Sequence, residues 1–523
     1  MHYNRLVLFF FTIKYLKFSQ ILWQIIYRIK KTQILKCGVQ ISDVSILLFD
    51  YYSKGDSKYF GKNTFKFLNL EKKFHGHIDW NFIEYGKLWN YNLEYFDYLN
   101  QENIDYEEKK RLIYDFYNYS FIGKRKLEPY PVSLRSINII RFLSKYNMPK
   151  SDINNYLYQE LSFLYNNCEY HILGNHLLEN AFALLMGGAY FNKLEWCNKA
   201  KKILQEQLEE QVLSDGAHFE LSPMYHKIIL YRLLELIDWY SKLKYKDTVF
   251  LEFCKMFSAR MLGWLRNISF SNGDIPLFKD SAFEITLSNN ELYLYAETVG
   301  VIPQNTILSE SGYRSYSTKT FEVKISFAQI GASYQPGHAH ADALSFLVYF
   351  KGKPLFVEQG TSTYQIGERR NLERSTEAHN TVVYKNVSQS EVWGGFRVGR
   401  RAKTSLLQES GSFFYGCHDG YNRLGTTHFR SFSLEDNSIE IKDKLTNNKK
   451  GVAYLHIAPG ISIQRLNANE ISIPEVCELI FKDIFDLQIE SYEYANSYNM
   501  YSSAQRIVVK FQNEMSTTIK FLS

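Results

Sequence analysis

The sequence predicts an α+β protein of two domains, a helical one followed by an antiparallel β-sandwich. Three observations predict it. A chain of 523 residues is too long for one ordinary core. From about residue 80 to about residue 300, apolar residues recur at helical spacing in one segment after another. Beyond about residue 310 the period changes to the alternation expected of half-buried strands.

The N-terminus opens with Leu6 to Phe11, a short apolar run after Arg5 that resembles the core of a signal sequence. Lys14, Lys17 and Arg28 interrupt the next stretch of chain, and no A-x-A cleavage pattern appears. An amphipathic, partly basic helix through Tyr27 is expected, lying on a membrane surface or packing on the body. Nothing approaches the roughly 20 apolar residues of a transmembrane span. The missing cleavage pattern favours a cytoplasmic over a periplasmic location. Residues 1–80 are read as an extension ahead of a helical domain over 81–308.

Within that domain, helices are predicted over 153–168, 196–212, 225–243 and 250–268, separated by turn clusters such as Ser214-Asp215-Gly216. Helices repeating at intervals of roughly 25–50 residues suggest stacked hairpins, as a solenoid or a closed α/α toroid; the period alone does not choose. A boundary between Pro303 and Gly312 leaves 309–523 for the sandwich. Its strands are predicted over 321–327, 344–350, 381–384, 438–445 and 452–457.

Composition narrows the function. Hydrophobic residues at 45% and charged residues at 22% fit a globular protein. The net charge of +6 suits an anionic substrate, but no dense Lys/Arg tract marks a nucleic-acid-binding protein. The 40 Tyr and 38 Phe suit an AT-rich genome first, and sugar stacking second. Six cysteines (Cys37, Cys168, Cys197, Cys254, Cys417 and Cys477) form no CxxC pair, so buried free thiols are expected rather than a disulfide framework or a cysteine zinc site.

Four clusters carry chemistry. In Gly174-Asn175-His176-Leu-Leu-Glu179-Asn180 the glycine sets Asn175 and His176 in the first turn of a helix, where free N–H groups and the helix dipole favour a carboxylate. Glu179 lies on the same face as His176, close enough to orient its ring; an N-cap Asn with a surface His is the plainer alternative. In Asp215 to His226, Ser222 and Pro223 start a helix and put Tyr225 in its first turn, where a phenol can exchange a proton. In Gly337-His338-Ala-His340-Ala-Asp342, strand alternation would place His338, His340 and Asp342 on one face, with an H-x-H pair suited to a metal. The last runs from Arg369 through Arg374 to His379-Asn380-Thr381, with arginines suited to carboxylate or sulfate and His379 as a further metal ligand.

Taken in order, Tyr91 to Phe96, Glu128 to Arg135, Gly174-Asn175-His176, Asp215 to His226, Gly273 to Phe278, Gly337 to Asp342 and His379-Asn380-Thr381 resemble the heparinase II/III-like polysaccharide lyases across about residues 85 to 400. The resemblance implies an α/α toroid (an incomplete barrel) ahead of the β-sandwich, and eliminative cleavage of an acidic, uronate-containing polysaccharide of glycosaminoglycan or bacterial-surface type. It implies that Asn175 and His176 neutralise the uronate carboxylate, that Tyr225 protonates the leaving oxygen and serves as base for one epimer, and that His338 is the other base. It implies a structural zinc on His340, His379 and Glu358, the last standing where the family commonly has Asp, with Asp342 as a substitute. Arg135 and Arg374 are expected to meet substrate. Glu179 and Glu220 are expected near it, Glu220 with Asp280 as the alternative of carboxylates that fix His or Arg.

Two other functions compete. An α/α-toroid glycoside hydrolase needs two opposed carboxylates, for which Glu179 and Glu220 are available. A non-catalytic glycan-binding or polysaccharide-biosynthesis protein on the same scaffold fits the absence of a clear export signal.

Overall fold

The computed structural model describes residues 5–30, 35, 41, 44–51, 58–123 and 125–522; Cys37 lies outside them. The first two helices are α1 (Arg5–Ile13) and α2 (Phe18–Ile29), bent by 111°. The expected single helix is therefore two. The Gln20 side chain accepts the Lys17 N–H at 2.9 Å and starts a new helix after the break.

Among the described residues, the helical part continues with α3 (Lys87–Tyr95), α4 (Tyr106–Ile122), α5 (Pro129–Lys145), α6 (Ile153–Asn166), α7 (Gly174–Tyr190), α8 (Leu194–Gln211), α9 (Pro223–Ser241), α10 (Thr248–Ile268) and α11 (Asn289–Thr298). Their starts are written in short polar side chains. Asp105 accepts the Glu108 N–H at 2.8 Å, Asp247 that of Phe250 at 3.1 Å, and Ser222 that of Tyr225 at 3.3 Å ahead of Pro223. Neighbours pack in succession, α5 on α6 and α7, α7 on α8 and α9, and α9 on α10. Apolar side chains such as Leu157, Leu184, Leu233 and Met261 fill one core between them. Buried charges inside it are paired: Arg141 reaches Glu235 at 2.6 Å, and Arg232 reaches Glu235 at 2.9 Å and Glu179 at 3.1 Å.

From Tyr313 onward the chain is mainly strand. Tyr313–Ser317, Phe321–Ser326, Phe346–Phe350 and Lys353–Phe356 form a four-stranded antiparallel sheet in sequence order. A larger antiparallel sheet of ten strands has two long neighbours in its interior, Cys477–Tyr494 and Ser502–Phe521. The two sheets face each other over a second core in which the Phe346 and Phe432 rings meet edge to face at 5.6 Å and Phe321 stacks on Phe521 at 4.7 Å. Both 321–326 and 438–445 are strands, but only 438–445 is half-buried with the alternation that predicted it; Phe321–Ser326 is buried on both faces, its polar side chains included. Gly337 to Leu344 does not: it forms turns, Leu344 has a left-handed φ of 62°, and the strand begins at Phe346.

Candidate active site

Between the helical and the strand-rich parts lies a cavity of about 1200 Å³, and Asn175, His176, Tyr225 and His338 all line it. The chain enters α7 through two left-handed residues, Leu173 (φ 64°) and Gly174 (φ 58°). A Cβ at Gly174 would stand 2.6 Å from Glu220 Oε1, so this close approach requires glycine. Glu220 Oε1 accepts the Asn175 backbone N–H at 3.1 Å. The carboxylate expected at this helix start is thus supplied from within, and it is the Asn175 side chain that faces the cavity, with Oδ1 buried and unpartnered.

His176 is oriented by Glu169, not by Glu179. Its Nδ1 lies 3.1 Å from Glu169 Oε1, and its ring lies over Tyr130 at 4.2 Å. Glu169 is fixed in turn by Asn180, which donates to Oε2 at 3.0 Å and accepts the Glu169 N–H at 2.7 Å. Burial pushes the His176 pKa down, but the Glu169 carboxylate outweighs it and raises it above 6.5. Burial likewise opposes ionisation of Glu169, and His176 reverses it, holding the carboxyl below its usual value.

Tyr225 and His338 stack at 3.7 Å with planes 25° apart, and the Tyr225 hydroxyl lies 3.2 Å from that of Tyr364. Burial pushes the Tyr225 phenol well above 10, with Tyr498 adding to it, so Tyr225 is a neutral hydroxyl. One carboxylate organises the histidines. Asp280 Oδ2 meets His338 Nδ1 at 3.0 Å and Oδ1 meets His340 Nε2 at 2.8 Å, while Arg370 donates to both oxygens. Burial opposes this charge, yet Arg370 holds Asp280 well below the usual carboxylate range. Both imidazoles are placed to donate to Asp280, and in the neutral His338 ring that tautomer puts the lone pair on Nε2. Glu220 Oε2 lies 3.6 Å from that nitrogen, and burial raises the Glu220 pKa. His338 and His340 come together through Asp280 rather than through strand alternation.

The metal-ligand candidates are buried next to this network. His340 Nδ1 and His379 Nε2 have no hydrogen-bond partner, and their rings lie 5.3 Å apart. Each ring's other nitrogen meets a carboxylate, Asp280 for His340 and Glu358 for His379. Glu358 also accepts from Ser345 at 2.6 Å. Asp342 is paired with Lys279 at 2.6 Å through one oxygen, the other having no partner. Burial pushes His340 down to about 4 and His379 well below its usual value. This donor chemistry fits a metal, since ligating histidines characteristically give their second nitrogen to a carboxylate. Among the described residues, no three His, Cys, Asp or Glu side chains are already gathered as a ligand set.

Three residues expected to contact substrate are instead buried in pairings away from the cavity wall. Arg135 is ion-paired with Glu160 at 2.5 Å and with Glu94 at 3.4 Å. Arg374 donates to the carbonyls of Ala339 (2.9 Å), Gly395 (2.7 Å) and Arg397 (3.3 Å). Glu179 is bound to Arg232, which removes one member of the carboxylate pair a hydrolase would need. Glu220 stands behind Asn175 and His338 as a positioning carboxylate. The alternative expected for Asp280 and Glu220, carboxylates that fix His or Arg, is what the structure shows. Sequence reasoning missed Glu169, Tyr364 and the pairing of Asp280 with Arg370 and with both histidines at once, because these partners are distant in the chain and spacing gives no signal for them.

Known proteins share both parts of this chain. Residues 131–309 match the family model described as heparinase II/III N-terminus, and residues 305–522 match that described as heparinase II/III-like, C-terminal. A heparin-sulfate lyase of Bacteroides stercoris is 27% identical over 327 residues, 55% of this chain and 46% of the relative. One of Pedobacter heparinus is 25% identical over 243 residues, 41% of this chain and 36% of the relative. The chain thus spans less than half the length of these relatives. Among solved structures, heparinase III gives a TM-score of 0.70 at 16% identity over 96% of this chain and 89% of that one. A mutant heparan sulfate lyase from Pedobacter heparinus gives 0.59 at 15% identity over 88% and 81%. These likenesses establish the fold, an α+β chain with a helical part followed by a β-sandwich.

Proposed function

The chain belongs to the heparinase II/III-like family, and from that premise we propose that it is a polysaccharide lyase cleaving an acidic, uronate-containing glycan by β-elimination. The observation that carries this reading is the meeting of Asn175, His176, Tyr225 and His338 around one cavity. Asn175 and the His176–Glu169 pair bind the uronate carboxylate and neutralise it, which lowers the cost of a carbanion at the neighbouring C5. His338 Nε2 takes the C5 proton, its other nitrogen being held by Asp280. The electron pair becomes a C4–C5 double bond, the C4–O bond breaks, and the departing oxygen takes the Tyr225 proton. No water is consumed, and the product carries an unsaturated uronate. The tyrosines around the cavity, among them Tyr91, Tyr95, Tyr130 and Tyr364, offer faces on which sugar rings stack.

A structural zinc belongs to the same reading, held by His340, His379 and a carboxylate, either Glu358, which would have to exchange its bond to His379 Nδ1 for the ion, or Asp342, whose second oxygen has no partner. The two bare imidazole nitrogens support it. The ion would supply fixed positive charge and crosslink the loops behind His338.

The test is the ultraviolet absorbance of the conjugated product on a panel containing heparin, heparan sulfate, chondroitin sulfate and bacterial surface polysaccharides. Tyr225→Phe should lower turnover by about 10²–10⁴-fold at unchanged thermal stability. Retained turnover removes Tyr225 from the mechanism, and a product with saturated ends replaces elimination by hydrolysis.

A further inference from the structure

The two N-terminal helices have three faces each, and only two of them are used by the fold. One face packs on the body. Leu8 is buried, Thr12 accepts from Trp393 Nε1 at 3.1 Å, and Trp23 stacks on Tyr170 at 5.0 Å. The Tyr27 hydroxyl donates to the Cys168 carbonyl, and the buried Gln20 amide donates to those of Ile172 and Tyr334, each at 3.4 Å. A second face, with Phe9, Ile13, Leu16, Ile21 and Ile25, forms one wall of the active-site cavity. The third points outward and is apolar: Leu6 (79% exposed), Phe10 (64%), Phe18 (79%), Leu22 (45%) and Ile29 (77%). In α2 the outward residues Phe18, Leu22 and Ile29 follow helical spacing, so they form one stripe.

Charge says what covers that stripe. The first 42 residues hold seven Lys and Arg and no Asp or Glu, more than the whole chain's excess of +6. Arg5, Lys14, Arg28 and Lys30 are exposed around the apolar residues. Two copies meeting here would oppose like charges, whereas an anionic lipid surface complements both the apolar stripe and its basic border. Among the described residues no single helix is long and apolar enough to cross a bilayer, and the sharp bend suits helices lying in its plane.

We infer that the N-terminal helix pair docks the protein on an anionic lipid surface. Because the same two helices wall the cavity, docking holds the cavity beside the lipid, where an acidic glycan carried on a membrane is presented to it. The docking stands independently; the presentation of a glycan rests on the lyase reading.

The experiment is vesicle co-sedimentation of the full chain with phosphatidylcholine vesicles containing a quarter phosphatidylglycerol, against phosphatidylcholine alone. Binding is expected to the anionic vesicles and to weaken in high salt. In the triple variant Phe10→Asp, Phe18→Asp, Leu22→Asp, whose changed residues lie outside the cavity wall, partitioning should fall at least tenfold. Its melting curve and its turnover of soluble polymer should match the unchanged protein. Binding to neither vesicle, equal binding to both, or full binding by the folded triple variant overturns the inference. So does a dimer of the unchanged protein that the triple variant dissolves, since a second copy then covers the stripe. Absence of turnover in both proteins, with lipid binding intact in the unchanged one, refutes the lyase reading alone.

Discussion

Replacing Asp280 with Asn tests the hub directly, because the change keeps shape and removes only charge and one acceptor. Asp280 accepts four bonds, two from Arg370, one from His338 Nδ1 and one from His340 Nε2. An amide has one accepting oxygen, so in either orientation its NH₂ faces an Arg370 N–H and a histidine. If it faces His338, the ring must turn Nδ1 into the acceptor, and the proton moves to Nε2, where the base lone pair was. An inverted tautomer of this kind costs about 10⁴-fold in kcat in the serine-protease triad. Leaving a fully buried guanidinium without its counter-charge costs about 3–5 kcal/mol, a large share of a typical stability of about 5–15 kcal/mol. Initial rates of unsaturated-product formation, with urea unfolding of the same preparations, read both effects. A folded D280N protein with kcat within tenfold of the unchanged enzyme refutes the claim that Asp280 sets the protonation of His338. Unchanged unfolding refutes the energetic argument about Arg370.

Glu169→Gln should raise KM more than it lowers kcat, because in the proposed mechanism the His176–Glu169 pair holds the uronate. His176 has a folded-state pKa above 6.5, so the stability of its pair is fully present below 6.5 and lost as pH rises through the raised value; Glu169, held below 4.5, loses its share as pH falls through its own. The difference in unfolding free energy between the E169Q and unchanged proteins should therefore be largest between those limits and shrink towards alkaline pH; a pH-independent difference contradicts the pairing. Arg374→Lys should destabilise by about 3 kcal/mol, three carbonyl bonds at about 1 kcal/mol each, since an ammonium does not reproduce the guanidinium fork. Denaturant midpoints and KM separate this from substrate contact, which predicts a raised KM at constant stability. If zinc is held by His340 and His379, elemental analysis of the purified protein should give about one equivalent per chain. Chelation should then lower Tm, and His379→Ala should abolish the metal; a metal-free, chelator-insensitive protein refutes the zinc site.

Much of the architecture was legible because it depends on local period and local caps. Ser222-Pro223 marked the start of α9, and the alternation of 438–445 marked a strand. The failures share one cause, which is that long-range polar pairing leaves no local trace. His338, His340 and Asp342 looked like one strand face, but Asp280, some sixty residues away, draws both imidazoles to itself from a turn. Arg135 and Arg374 looked like anion-binding residues, and their partners (Glu160 for one, three backbone carbonyls for the other) became known only from the fold. Glu179 stood at the right spacing for His176, yet Arg232 from α9 claims it. The four residues taken from the family resemblance do meet at one cavity; of the carboxylates that hold them, Asp280 and Glu220 were named as such while their particular partners were not, and Glu169 was beyond the reach of motif or spacing.

The stack of Tyr225 on His338 joins a side chain from the helical part to one from the strand-rich part. In the proposed mechanism acid and base therefore belong to a seam, and neither half of the polypeptide holds both. On that mechanism a chain whose halves have folded but not closed on each other would be chemically silent, and cleavage would begin only once the seam has formed.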